Sequence, residues 1–579
     1  MSTDMLQDNH QIPQDRWLAI NGYTMKEIPI GISSYKQAID EQFLFVDKTK
    51  ELLYLVKKQK FAFFSRPRRF GKSITLDAIE TLFTQGLDPY FKGTYIAGNN
   101  EDGSPRWNES VLPVIRIDFS SFVANSLEDF RKLFVALLNS YCESFNLTPV
   151  KLKVNIAQAF EDFNKELVEH FQKRYVLLID EYDAPLNALI DRVQDFESFR
   201  LEIRSFYSKI KEPKISGNIR FMLVTGITRF KDVSIFSAGS NIKDISYNPN
   251  IATIVGYTKF EIENYFKEYI DIAIEKLYGC KLTDISKADY QKYKNYLLDA
   301  LAQNYDNICY DSLGKQSVFS TWSINNFFCD ATDLDEIAFD DYWFENGGLP
   351  TILRKYLQNH LIDFSALKQK EIVIGKDDFM NPTALQSMDL NVLMAQTGYL
   401  SLTKGYKLRN GAVLSIPNNE LRRSLSRLAS TTVFGQFFTD SMQRLEPFLV
   451  NASAKDLFDK FNEILAKLPR SNQLYNFENE YAVKTAIQTF VLGAGINCYR
   501  EVYESKGIPD LVIELTDKVI VVEFKYTKDS STVDAMLCDG VNQIVSHDYG
   551  QSFDCEKQRL RLAVVYDANE KKLVAFKEC

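Results

Sequence analysis

Histidine is scarce in this chain, four residues in 579, and none of its eight cysteines forms a CxxC pair. Zinc fingers and zinc ribbons need closely spaced ligand pairs, so both are excluded. Free buried thiols in a reducing compartment are the simpler expectation. No uninterrupted apolar run approaches the ~20 residues that span a bilayer. The start, MSTDMLQDNHQIPQDRW, is polar and acidic and does not read as a Sec signal. A cytoplasmic protein with no membrane segment is therefore expected. GxSxG, HExxH and GxGxxG are missing too, which sets aside the enzymes built on those motifs. Fixed-period repeats and low-complexity tracts are also lacking. The formal net charge of −9 argues against broad coating of nucleic acid and leaves a local basic groove open.

The length calls for about three domains. Residues 1–25 read as a loose leader. From 26 to 256, buried-strand runs alternate with helical stretches. The runs are FAFFS (Phe61 to Ser65), VIRIDFS (Val114 to Ser120), YVLLIDEYD (Tyr175 to Asp183) and RFMLVTGI (Arg220 to Ile227). That alternation predicts an α/β fold with a parallel sheet and crossover helices. Residues 257–468 read as a helical lid and connector with some winged-helix character. LPRSNQ (Leu468 to Gln473) reads as a linker. Residues 474–579 read as a small α/β domain in the order helix, three strands, helix, strand.

The stretch FAFFSRPRRFGKSITL, Phe61 to Leu76, ends as a phosphate-binding loop does. Gly71 lets the backbone approach a phosphate, and the helix opening at Lys72 and Ser73 points N–H groups at the anion. Lys72 would neutralise phosphate charge and Ser73 would ligate Mg²⁺. The apolar strand YVLLID supplies the partner acids, Asp180 for the metal and Glu181 to polarise an attacking water. A strand lying between the loop strand and the acidic strand would bring Thr225, Thr228 and Arg229 to the γ-phosphate. Arg229 is then either a cis arginine sensor or a strand-end residue bonded to a carbonyl or an acid. The front of the loop is unusual: Arg66 stands where the P-loop pattern has its first glycine, and Pro67 offers no N–H.

RPRRFGKS resembles the loop of the predicted AAA-ATPase-like family. It is preceded by PIGISSYKQAID and FVDKT, and followed by VLLIDEYDAPL and VTGITRF. VFSTWSINNFF and WFENGGLPTIL resemble that family's lid region. The resemblance covers about residues 25 to 260 and implies ATP and Mg²⁺ as cofactors. The expected nucleotide contacts are Arg68, Arg69, Phe70, Gly71, Lys72, Ser73, Ile74, Asp180, Thr225 and Arg229. Whether Arg66, Arg68 and Arg69 bind phosphate, meet a partner or brace the loop stays open.

A second constellation is KGIPDLVIELTDKVIVVEFKYT, Lys506 to Thr527. Glu523 and Lys525 are two apart and so share one face of a strand, and strand pairing brings Asp510 beside Glu523. Two carboxylates make a Mg²⁺ site, and Lys525 beside them positions water or stabilises phosphorane charge. Pro509-Asp510 with Glu523-Phe524-Lys525 resembles the PD-(D/E)XK nuclease superfamily. The resemblance implies Glu480 as an additional helix acid and metal ligand, and Gln543 as a helical element. Ile508 departs from the arginine found there in many related chains. His547 reads as a helix-surface residue. From Ser471 to Cys579 there are 12 Lys+Arg against 17 Asp+Glu, which does not favour gripping a duplex.

The expected function is an ATP-binding, ATP-hydrolysing protein coupled to a Mg²⁺-dependent nuclease-like domain acting on nucleic acid, DNA or RNA. The alternatives are a nucleotide-dependent signalling or defence switch, or an interaction scaffold with an inactive nuclease fold. A homo-oligomer or a protein partner is compatible with each.

Overall fold

The computed structural model describes the chain except residues 1–16, 21, 190–191, 230–240, 346–351, 354–370, 381–387, 410, 469–479, 501–506 and 554–555. The chain forms two compact units. One holds the described residues up to Leu353 together with Glu371–Asn418, and the other holds Asn419–Cys579. The sequence-expected linker lies, from 469 onward, outside the described residues.

The first unit opens with a feature that the leader reading missed. Trp17–Ile20 (β1) and Tyr23–Lys26 (β2) pair antiparallel around a turn in which Gly22 adopts φ +88°. Met25 joins a helical core with Ile262, Phe266, Ile270, Leu298 and Phe328. The alternating YTMK run is short, but it has a hydrophobic surface to lie on.

Phe61–Ser65 (β3), Val114–Asp118 (β4), Tyr175–Asp180 (β5), Ile219–Gly226 (β6) and Lys243–Asp244 (β7) form an all-parallel sheet in the order β4-β5-β6-β3-β7. β3 and β5 are buried at every residue, hence their unbroken apolar character. The helices Lys72–Gln85, Leu127–Ser144, Ile156–Phe171 and Val193–Ile210 flank the sheet. Ser126 and Asn155 start two of them by accepting a backbone N–H three residues on. The helices Lys259–Tyr265, Lys267–Tyr278, Lys287–Tyr305 and Thr321–Asp333 follow. Ile372–Gly375 (β8), Ser401–Leu402 (β9) and Gly411–Ser415 (β10) form a small antiparallel sheet.

The expected connector, 257–468, does not stay in one body. Its part up to Asn418 belongs with the parallel sheet, and the helices Asn419–Phe434, Gln436–Asn451 and Ala454–Ala466 belong to the second unit. Their apolar faces explain this. Phe434 and Phe438 stand edge-on to Phe490, and Leu457, Phe461 and Ile464 share a core with Ile487, Ile513 and Val522.

In the second unit, Asn497–Arg500 (β11), Leu511–Glu514 (β12), Lys518–Thr527 (β13), Gln558–Asp567 (β14) and Lys572–Glu578 (β15) form a sheet in chain order. β13 and β14 are parallel and the other pairs antiparallel. The helices Glu480–Gly493 and Val533–His547 complete a smaller α/β domain, with one strand more than expected. Among the described residues no helix is long and apolar enough to cross a membrane, and the seven described cysteines are free.

Candidate functional site

The loop between β3 and the helix Lys72–Gln85 needs two left-handed residues, Arg69 (φ 63°) and Gly71 (φ 90°). Gly71 hands the chain to the helix N-terminus, where unpaired N–H groups gather. Lys72 is buried, and its Nζ donates to the carbonyls of Arg66 (3.0 Å) and Pro67 (2.8 Å). Burial lowers its pKa, while Glu181, Asp180 and Asp183 act to raise it. Ser73 Oγ donates to Asp180 Oδ2 at 2.9 Å, and Thr225 Oγ1 donates to Asp180 Oδ1. The sheet order explains that convergence: β6 lies between loop strand β3 and acidic strand β5. Arg116 on β4 approaches Asp180 Oδ2 at 3.5 Å and also reaches Asp77 and Glu80. Glu181 adopts φ +45°. Burial raises its pKa, and Lys72 opposes the rise.

The arginines of the loop separate into two roles. Arg66 is 1% exposed. Its Nη1 donates to the carbonyls of Ser65 (2.8 Å) and Ser246 (2.6 Å). Its guanidinium lies over the rings of Phe64 (4.4 Å) and Tyr310 (3.8 Å). It faces inward and braces the loop. Phe70 stands edge-on to Tyr310 and Trp343 and also lines a cavity beside the loop. Arg68 and Arg69 line this cavity, of about 370 Å³, together with Gly71, Lys72, Ser73, Ile74 and Glu181. Arg69 lies over the Trp322 ring at 4.5 Å, and its carbonyl accepts from Thr321 Oγ1 at 2.9 Å.

The cavity also has an apolar lining, with Tyr35, Leu44, Phe45, Val46, Leu52 and Ile254, and Lys48 and Thr49 stand among these residues. Asn325, 8% exposed, is another polar residue there. Tyr257 Oη donates to Asn325 Oδ1 at 3.2 Å, so the amide NH₂ is what Asn325 has to offer a ligand. Asn325 and Tyr257 escaped sequence reading because their chain separation from the loop carries no spacing signal.

Arg229 does not reach the cavity. It is 2% exposed, with Nε 3.1 Å from Asp244 and its guanidinium over Tyr247 at 5.0 Å. The sensor reading gives way to an interior ion pair, the plainer of the two roles. Thr228 is likewise buried, held by Asp183. Asp183 accepts from Thr228 N (2.7 Å), Thr228 Oγ1, Ile227 N (3.2 Å) and Asn187 Nδ2 (2.9 Å), tying the end of β6 to the turn after β5. The third acid of DEYD was its only signal in the sequence.

In the second unit, β12–β13 pairing sets Leu511 opposite Val522, so the preceding position sets Asp510 opposite Glu523. Asp510 Oδ2 accepts the Phe524 N–H at 2.8 Å. Glu523 is 3% exposed and its Oε2 is buried without a hydrogen bond. Burial pushes its carboxyl up to about 8, with Asp510 adding to the rise and Lys525 opposing it. Lys525 Nζ lies 3.4 Å from Glu523, 2.9 Å from Asp539 and within bonding distance of Gln543 Oε1. Glu480 joins through a residue that sequence reading passed over: Lys484 Nζ donates to Glu480 Oε1 and Asp510 Oδ1, each at 2.6 Å. The i, i+4 spacing of Glu480 and Lys484 was the available sign. His547 Nδ1 lies 2.9 Å from the Gln543 carbonyl, a contact within its own helix.

Among the described residues no three carboxylate, imidazole or thiol groups form a metal cage by themselves. Mg²⁺ does not require one, since it keeps several waters and takes one or two carboxylates. The unpartnered Glu523 oxygen beside Asp510 fits that demand, and so does the Ser73 hydroxyl on Asp180.

The first unit therefore has the parallel sheet, glycine-ended loop and acid-tipped neighbouring strand of a P-loop-type α/β domain. Residues 29–236 match the family model described as Predicted AAA-ATPase, AAA-ATPase-like. Over most of its length the chain is similar to a protein of Azotobacter chroococcum mcd 1 described as "Uncharacterized protein in vnfD 5'region". The two are 25% identical over 564 residues, 95% of this chain and 98% of that protein. That share includes parts of both compact units.

Proposed function

We propose that the first unit binds and hydrolyses ATP with Mg²⁺ and that the second is a metal-dependent phosphodiesterase acting on nucleic acid under control of the nucleotide. The observation that carries the first half is the convergence of Ser73 and Thr225 on Asp180 beside a cavity that also holds Lys72 and Glu181. Ser73 and Asp180 would hold Mg²⁺, Lys72 would meet the phosphates, and Glu181 would orient the attacking water. Arg68 and Arg69 bring positive charge to the cavity wall, and the apolar lining with Asn325 suits a base. In the second unit Asp510 and Glu523 would hold Mg²⁺, with Lys525 placed to stabilise charge on a phosphodiester.

A second reading is an interaction scaffold with an inactive nuclease fold. The salt bridges from Lys484 to Glu480 and Asp510 favour it, because an ammonium there already satisfies acids that a metal would use. Calorimetry on the intact chain separates the parts. ATP with Mg²⁺ should give a heat lost in Lys72→Ala and kept in Asp510→Ala. Metal-dependent cleavage of single- or double-stranded DNA or RNA should be lost in Asp510→Ala and Lys525→Ala. Absence of ATP heat in the wild type would refute the first half, and absence of cleavage with or without nucleotide would favour the scaffold.

A further inference from the structure

Lys484 is 6% exposed and lies inside the acid cluster of the second unit. Its ammonium bonds to Glu480 Oε1 and Asp510 Oδ1, both at 2.6 Å. Two carboxylate oxygens within reach of one nitrogen repel one another unless a cation stands between them. A third acid oxygen, Glu523 Oε2, is buried in the same cluster with no hydrogen-bond partner. Asp510 cannot turn away, because its other oxygen holds the Phe524 N–H at 2.8 Å. Lys525 does not neutralise the cluster alone, since Asp539 and Gln543 also engage it. The cluster thus has four carboxyl groups, Glu480, Asp510, Glu523 and Asp539, around two lysines, and each of those cations sits on a long, flexible stem.

We propose that Lys484 is a resident cation. It closes the acid cluster in the metal-free protein, a divalent cation displaces its ammonium from Asp510 on binding, and the competition sets how tightly that cation is held. This rests on the metal-site reading of Asp510 and Glu523. Replacing Lys484 by a neutral side chain removes the competitor and leaves Glu480 and Asp510 facing each other. Divalent affinity rises, and the fold comes to depend on the metal. A purely structural salt bridge predicts the opposite for affinity, because disturbing the support of a ligand normally weakens metal binding.

The test is calorimetric titration of the nucleotide-free full chain with MnCl₂ and with MgCl₂, on the wild type, Lys484→Met, Lys484→Gln and Asp510→Asn. Thermal unfolding in EDTA and in excess metal is measured alongside. Heat lost in Asp510→Asn identifies the site. The proposal expects that heat to show affinity tighter by about ten-fold or more in Lys484→Met, the scale of effects exerted by groups around a metal ligand. It also expects Lys484→Met to melt below the wild type in EDTA and to gain more from metal than the wild type does. Lys484→Gln keeps a hydrogen-bonding side chain and serves if the methionine variant does not fold. An Asp510-dependent heat with unchanged or weaker affinity in the Lys484 variants overturns the resident-cation proposal and leaves the metal site standing. No Asp510-dependent heat in any variant overturns both.

Discussion

Arg66→Gly would give the loop the glycine that the P-loop pattern has at that position, and it should damage the protein. Burial lowers the Arg66 pKa from its ordinary value to about 10, a charge penalty of about 3 kcal/mol at about 1.4 kcal/mol per unit. Opposing it are two hydrogen bonds from a charged donor, each about 1.5–3 kcal/mol, and two aromatic faces, each about 2 kcal/mol when desolvated. The substitution also deletes a large side chain packed between Phe64 and Tyr310. These terms exceed the penalty by about 4 kcal/mol or more, so the expected net loss is about 4–5 kcal/mol, within the scale seen when a buried charge interaction is broken. All four tryptophans, at 17, 107, 322 and 343, lie in the first unit, so tryptophan fluorescence reports its unfolding alone. In urea the midpoint should fall by about 1–2 M, and ATP binding should weaken with it. Arg66→Lys should fall in between, since a single ammonium cannot reproduce the planar fork. An Arg66→Gly protein with the wild-type midpoint and equal or tighter ATP binding would refute the brace.

Asn325→Ala should weaken ATP binding by about ten-fold, the value of a buried hydrogen bond, while inorganic triphosphate binds unchanged; equal losses for both would remove Asn325 from base recognition. Asp183→Ala leaves the Thr228 and Ile227 donors unpaired and should cost about 3 kcal/mol or more, read by the same fluorescence titration. In metal-free protein the raised Glu523 pKa means that the folded state holds an extra proton between about pH 4.5 and 8. That contribution to stability is full below pH 4.5 and is lost as pH rises towards 8, at up to about 1.4 kcal/mol per pH unit. Glu523→Gln should flatten the EDTA melting profile of the second unit across that window, and an unchanged slope would contradict the buried, unpaired carboxyl.

The long elements were legible in the sequence because each carries one strong period. β3, β5 and β6 are each built on an apolar run, FAFF, YVLLI and FMLV, and the helix Leu127–Ser144 starts at Ser126 with acids in its first turn. Gly71, Lys72, Ser73, Asp180 and Thr225 were also legible, since a strand-loop-helix unit fixes the first three and strand ends supply the others. What stayed hidden depends on packing between distant segments. Nothing local distinguishes Arg66, which turns inward onto Tyr310, from Arg68, which lines the cavity. Arg229 stayed open between a sensor and a strand-end ion pair because Asp244, its partner, is separated from it by fifteen positions. Lys484 was passed over because one lysine on a helix is ordinarily a solvated one.

The phosphate loop is held by contacts internal to the protein. Lys72 ties down the Arg66 and Pro67 carbonyls, Arg66 reaches Ser246, and Thr321 holds the Arg69 carbonyl. At Gly398 an added Cβ would stand 2.8 Å from Pro67, so that side of the loop is fitted to a bare backbone. A loop fixed this way has its ordering entropy removed before a ligand arrives. Nucleotide association should then proceed as a single phase with an observed rate linear in concentration. Changes that loosen the loop, such as Thr321→Val or Gly398→Ala, should slow arrival more than they hasten departure.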